Sequence, residues 1–171
     1  MQPVEINAGA YYLRQLRCDT RLDDRPALVT AFADDEMRRW APRTQLRDIN
    51  DAALYIAGRT AQWAQDQRCS WAVCEPTTGD LVGEIGLSHL DLDAGTAEAG
   101  CWVAAQWRGR GVATHALGAA LRFGYGALGL SYVDYVHVAG NTASQRVAQK
   151  CGFRQHERHG DLVVWRRGVD S

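Results

Sequence analysis

Gln106-Trp107-Arg108-Gly109-Arg110-Gly111-Val112-Ala113-Thr114 lies between a strand-like run and a helix-like run. The stretch has the composition of a phosphate cradle. Gly109 and Gly111 remove side chains where the backbone turns, so main-chain N–H groups can converge on an anion. The first residues of the following helix, Val112, Ala113 and Thr114, add unpaired N–H groups and the positive end of the helix dipole. Arg108 and Arg110 add positive charge beside them.

Other glycine motifs do not fit. A Walker-type loop requires Gly-Lys-Ser/Thr, which is absent here. A dinucleotide fingerprint requires a third glycine three residues after Gly111, where Thr114 stands. It also opens the first strand–helix unit of its fold, whereas this loop lies past the middle of the chain. What remains is Gln-x-x-Gly-x-Gly followed by a long helix.

Working outward from the loop, Ala97–Val103 reads as the strand before it. The helix after it runs from about Val112 to Ala127, with Ala113, Ala116, Leu117, Ala120, Leu121 and Gly124 along one face, and Gly129 ends it. Tyr132–Val138 is the next strand, Thr142–Cys151 a short helix, and Phe153–Arg158 with Leu162–Arg166 a terminal hairpin around Gly160. Upstream, Ser70–Glu75 and Leu81–Leu90 form a meander with Ala97–Val103, through turns at Thr77-Thr78-Gly79-Asp80 and Asp91–Thr96. Asp48–Gln67 is a helix, because Ile49, Ala52, Ala53, Ile56, Ala57, Thr60 and Trp63 recur at three- and four-residue spacing. Tyr11–Arg17 suits an opening strand, Asp19-Thr20 a cap for a helix to about Asp34, and Asp34–Trp40 a further turn before Pro42. The order predicts an α+β fold: a mixed, mostly antiparallel sheet flanked by helices, with a β-α-β crossover at the loop. The strands on either side of the crossover should splay to admit an extended ligand arm anchored at the helix start.

The bulk composition fits one domain, residues 1–171, with its core at about 10–167. Hydrophobic residues make up 46% of the chain, enough for a core, and the net charge of −1 offers no basic field for nucleic acid or membrane. Five cysteines, at 18, 69, 74, 101 and 151, show no Cys-x-x-Cys pair and no metal-ligand spacing. No metal is expected. The opening Met-Gln-Pro-Val-Glu has no apolar signal region, so a cytoplasmic location is expected.

A second segment, Asn141-Thr-Ala-Ser144-Gln-Arg-Val-Ala-Gln-Lys-Cys-Gly152-Phe153, follows the crossover in order. Together with the loop, with Gly83-Glu-Ile-Gly-Leu87 and with Ala97-Glu-Ala-Gly-Cys-Trp-Val103, it resembles the GNAT superfamily of N-acetyltransferases. The branch it resembles includes the ribosomal-protein N-terminal acetyltransferases, and the resemblance runs from about Ala10 to Arg167. It implies acetyl-CoA as cosubstrate, bound by the loop, by Asn141 and by the strand end Trp102, Val103 and Ala104, where a main-chain N–H polarises the acyl carbonyl. It also implies direct transfer to a primary amine within a ternary complex. Ser144 would hydrogen-bond the departing thiolate; by itself it also reads as a solvated first-turn serine, and Asn141 as a plain helix cap.

A general base is needed as well. Strand alternation puts Glu98 with Gly100 and Trp102, and Glu84 with Val82, Gly86 and Ser88, opposite Leu81, Ile85 and Leu87. Either carboxylate can face an acceptor cleft, or be a half-exposed sheet glutamate paired with an arginine. Glu84 is favoured as base and Glu98 as an acceptor-site or water-positioning group, with Tyr135 and His137 weaker candidates. Trp40 is a candidate for lining the acceptor pocket. The acceptor is a small-molecule or peptide amine, and a homodimer stays open. The competing class is a non-catalytic CoA-binding regulatory module that kept the loop and lost turnover.

Overall fold

A computed structural model describes residues 1–171. Its eight strands form one sheet, β1 (Ile6–Asn7), β2 (Tyr12–Arg14), β3 (Cys69–Cys74), β4 (Leu81–Asp91), β5 (Thr96–Val103), β6 (Tyr132–Val138), β7 (Arg154–His159) and β8 (Leu162–Gly168). The spatial order is β1-β2-β3-β4-β5-β6-β8-β7, and β5–β6 is the parallel pair. The helices are α1 (Arg25–Phe32), α2 (Asp35–Trp40), α3 (Ile49–Ala64), α4 (Val112–Gly126) and α5 (Thr142–Lys150). The expected architecture is present: a mixed, mostly antiparallel sheet with α4 as the crossover between β5 and β6.

Local chemistry sets most boundaries. The Asp48 side chain accepts from Asp51 N–H and starts α3, and the Asn141 side chain accepts from Ser144 N–H and starts α5. Gly129 follows α4 with φ +68°. One cap differs from expectation. The Asp19 carboxylate accepts from the N–H groups of Arg21 and Leu22 and closes a turn. The helix starts instead after Asp24, with Pro26 in its first turn. Asp24 is held by a buried, two-pronged ion pair with Arg14 at 2.7 and 2.8 Å, a partner ten residues away that no local pattern reveals.

The two faces of the sheet bury separate apolar clusters. On one, Ile85, Leu87, Ala97 and Ala99 meet Leu117, Ala120 and Leu121 of α4. On the other, Ala72, Cys74 and Trp102 meet Leu28 and Phe32 of α1 and Ile56 of α3. Each fully buried leucine contributes about 1.5–3 kcal/mol. Alternation along β4 breaks where pairing with β3 shifts, Val73↔Gly83 being followed by Cys74↔Leu81. This bulge exchanges two residues relative to expectation: Val82 joins the α4 side and Leu81 the α1–α3 side. No helix is long and apolar enough to cross a membrane.

Candidate functional site

The loop has the backbone that its glycines require. Gly109 and Gly111 adopt φ of +75° and +77°. The N–H groups of Gly109, Arg110, Gly111, Val112, Ala113 and Thr114 make no hydrogen bond within the chain, and the next amide, His115, donates to the Gly111 carbonyl at 3.0 Å. A continuous row of unpaired donors thus leads into the N-terminus of α4. The arginines differ from each other. Arg110 stacks over Trp107 at 5.0 Å and stays at the exposed rim. Arg108 turns back: it donates to the Val103 carbonyl at 3.2 Å and to the Asp34 carboxylate at 2.6 Å. It therefore clamps the loop onto α2, and its hydrogen bond holds the Asp34 carboxyl below its ordinary pKa.

The cradle opens at a gap between β5 and β6. Their pairing runs from Thr96↔Tyr132 to Ala99↔Tyr135 and stops, while β5 continues to Val103. Ala104 N–H donates to the Val82 carbonyl at 2.9 Å, so alternate main-chain groups of β5 face β4, those of Cys101 and Val103 facing the gap. Of the expected trio Trp102–Ala104, Val103 presents its amide to the gap. Ala104 has spent its own on β4, and Trp102 packs its ring edge-on to Phe32 at 5.2 Å.

Across the gap, Tyr135 lies buried on β6. Its hydroxyl is 3.4 Å from Ser144 Oγ and 3.7 Å from Cys101 Sγ. Burial pushes its phenol pKa well above the ordinary value, which keeps the O–H proton in place as a donor. Ser144 sits in the first turn of α5, directly over this hydroxyl, and Asn141 is the cap of that helix at 3.2 Å from Ser144 N–H. His137 is occupied: Trp165 Nε1–H donates to its Nε2 at 2.9 Å, which leaves Nδ1 to donate to the Val138 carbonyl. Trp40 Nε1–H donates to Glu36 within α2, beneath a stacked Arg39.

The two glutamates have different surroundings. Both carboxylates lie on the face opposite α4, as alternation predicts, because Glu84 is paired with Trp102 and Ser88 with Glu98. Glu84 is only 2% exposed. One oxygen accepts from Arg59 Nε at 2.9 Å and the other from Tyr55 OH at 2.7 Å. Arg59 in turn donates to the Tyr55 oxygen at 2.9 Å and to Gln62. The glutamate expected to act as base is thus enclosed by a phenol and a guanidinium from α3. Glu98 is 41% exposed and its carboxylate makes no hydrogen bond; the nearest cation site is His89 Nδ1 at 3.8 Å.

Tyr55, Arg59, Arg68 and Asp34 are side chains around the site that sequence alone did not single out. Tyr55 and Arg59 are four apart on α3 and so share a face, a signal present in the sequence but without an indication of the partner. A cavity of about 540 Å³ between the N-terminal segment and α3, lined by Pro3, Gln15, Cys18, Ala53 and Thr60, contains none of the site residues. No group of three or more His, Cys, Asp or Glu side chains is placed to hold a metal ion.

The profile described as acetyltransferase (GNAT) domain matches residues 13–154. Among curated proteins, the chain is 29% identical over 133 residues to the uncharacterized N-acetyltransferase YoaA of Bacillus subtilis, covering 77% of this chain and 75% of that protein. Among solved structures, RimJ of Mycobacterium smegmatis in complex with CoA-disulfide superposes with a TM-score of 0.82 at 21% identity, over 98% of this chain and 88% of the other. The ribosomal-protein-S5-alanine acetyltransferase of Vibrio fischeri gives 0.83 at 13% identity, over 98% and 97%. At these identities the two structures share the fold. With the family profile spanning most of the sheet, both segments around the crossover and the cradle between them, the chain belongs to the GNAT family of N-acetyltransferases.

Proposed function

We propose that this protein transfers the acetyl group of acetyl-CoA to a primary amine by direct attack, with both substrates bound together. The unpaired donors from Gly109 to Thr114, opening onto the β5–β6 gap, carry this reading. They suit the pyrophosphate of the cosubstrate, and the gap suits its extended arm. The cosubstrate supplies an activated thioester; the chain supplies donors and a proton acceptor.

The Val103 N–H, on the open side of β5, polarises the acyl carbonyl. Glu98, exposed and unpaired, takes the proton of the attacking amine through a chain of waters, because it stands five residues along β5 from Val103, roughly 16 Å. Glu84 holds Tyr55 and Arg59 in place as the wall of the acceptor cleft. As the new C–N bond forms and the C–S bond breaks, Ser144 donates its hydroxyl hydrogen bond to the departing sulfur, supported by the Tyr135 hydroxyl behind it. The likeness to the ribosomal-protein-S5-alanine acetyltransferase favours a protein or peptide amine as acceptor. Thiol release from acetyl-CoA, followed against a panel of small amines and peptides, tests the assignment. Acetyl-CoA binding by calorimetry with no thiol release for any amine would return the chain to the class of regulatory CoA-binding modules.

A further inference from the structure

Beside the Glu84 cage lies a cation that the mechanism above does not use. Gly86 and Gly100 are directly opposite each other on the acceptor face of β4 and β5, so two side chains are missing there. Nothing lies within 4 Å of the place a Cβ on Gly100 would occupy. The guanidinium of Arg68 lies over Gly86, filling the space a side chain there would take. Arg68 Nε donates to Ser70 Oγ at 2.6 Å. Its Nη2 is 3.8 Å from Glu84 Oε1, beyond hydrogen-bond reach, and neither Nη atom donates to any group of the chain. Both oxygens of Glu84 already serve Arg59 and Tyr55.

Given the acetyl transfer proposed above, on which this inference rests, we propose that the acceptor amine carries a carboxylate that docks on the free Nη edge of Arg68. The Arg68 side chain is 18% exposed and so is not sealed from solvent, and the trough over Gly100 beside it is open. Burial and the neighbouring Arg59 charge both draw its pKa down from the ordinary value. The carboxylates of Glu84 and Glu98 offset this only in part, and a bound anion adds to that compensation. The trough ends where β5–β6 pairing ends, one residue beyond Ala99, so a ligand on Arg68 reaches the gap. Glu98 follows along the same face, two residues from Gly100, and its unpaired carboxylate draws the acceptor's ammonium into the trough. A positive and a negative group about one or two strand spacings apart, roughly 5–10 Å, match an acceptor bearing both charges. The carboxylate can belong to a free amino acid or to an acidic side chain near a peptide N-terminus.

Matched acceptors distinguish these sources: amino acids against their carboxamides, and peptides beginning Ala-Glu against Ala-Gln. Wild-type kcat/KM should favour the carboxylate member about tenfold or more in one series, the usual worth of a hydrogen bond to charge. Arg68→Gln should abolish that preference and leave the amidated acceptor and the acetyl-CoA Kd unchanged. Gly86→Ala, whose methyl displaces the guanidinium while keeping its charge, should reduce the same preference. Equal turnover of carboxylated and amidated acceptors by the wild type overturns the inference while leaving acetyl transfer intact. Equal slowing of both by Arg68→Gln, with a lowered Tm, makes Arg68 a structural residue and overturns it too. Absence of thiol release with every acceptor overturns both assignments together.

Discussion

Replacing Glu84 by Gln removes one negative charge from a cluster in which Arg59 and Arg68 are 20% and 18% exposed. The amide oxygen can still accept from Arg59 and its NH2 can donate to the Tyr55 oxygen, but the Tyr55 O–H then loses its acceptor and the negative charge is gone. Two guanidinium groups are then left without a carboxylate in a largely buried site. Removing one member of such an ion pair costs about 3–5 kcal/mol. For a chain of this size each kcal/mol lowers Tm by about 2–4 °C, so the variant should melt roughly 6–20 °C below the wild type. Arg59→Met added to Glu84→Gln should cost less than the sum of the two single changes, because the second removes a charge that the first stranded. Thermal unfolding of the four proteins measures both quantities. The pH profile of kcat/KM completes the test: its acidic limb should survive in Glu84→Gln and vanish in Glu98→Gln. A Glu84→Gln protein that melts within about 2 °C of the wild type and has lost that limb would refute the structural role and make Glu84 the base.

Gly111→Val places a β-branched residue at φ +77°, with its Cβ 3.4 Å from His115 Nδ1. The strain, about 1–3 kcal/mol, distorts the cradle, and acetyl-CoA affinity should fall at least about tenfold in a folded protein; calorimetry checks this. Under the proposed role of Ser144 as donor to the departing sulfur, Ser144→Ala should lower kcat about 10- to 100-fold at an unchanged acetyl-CoA Kd; normal kcat would leave Ser144 a helix-turn residue. The Asp34 carboxyl titrates below its ordinary value of 3.8 because Arg108 donates to it. Since the folded value is depressed, the pair stabilises the fold above that ordinary value, and the contribution is lost as pH falls through the folded value. Arg108→Met should therefore lower stability at neutral pH, and its gap from the wild type should close below about pH 3.8 in an acid titration followed by circular dichroism.

What the sequence determined by itself is local. Positive φ at Gly109 and Gly111, the cap Asn141, and the helical and strand periods each depend on neighbours within a turn or a strand. They specify the glycine loop, the crossover and the sheet face that each residue takes. Tertiary structure decided what lies far apart in sequence. Alternation makes Glu84 and Glu98 equivalent; α3 makes them different, because it lands Tyr55 and Arg59 on one and leaves the other open. Arg108 stands among the loop cations in sequence, yet a carboxylate 74 residues away turns it from the cradle into a clamp. The bulge that exchanges Leu81 and Val82 arises from pairing with β3, and the β5–β6 gap from a register that ends at Ala99. Periodicity reports which face a residue takes. Which charge waits on that face is set by packing, and so by long-range electrostatics and burial.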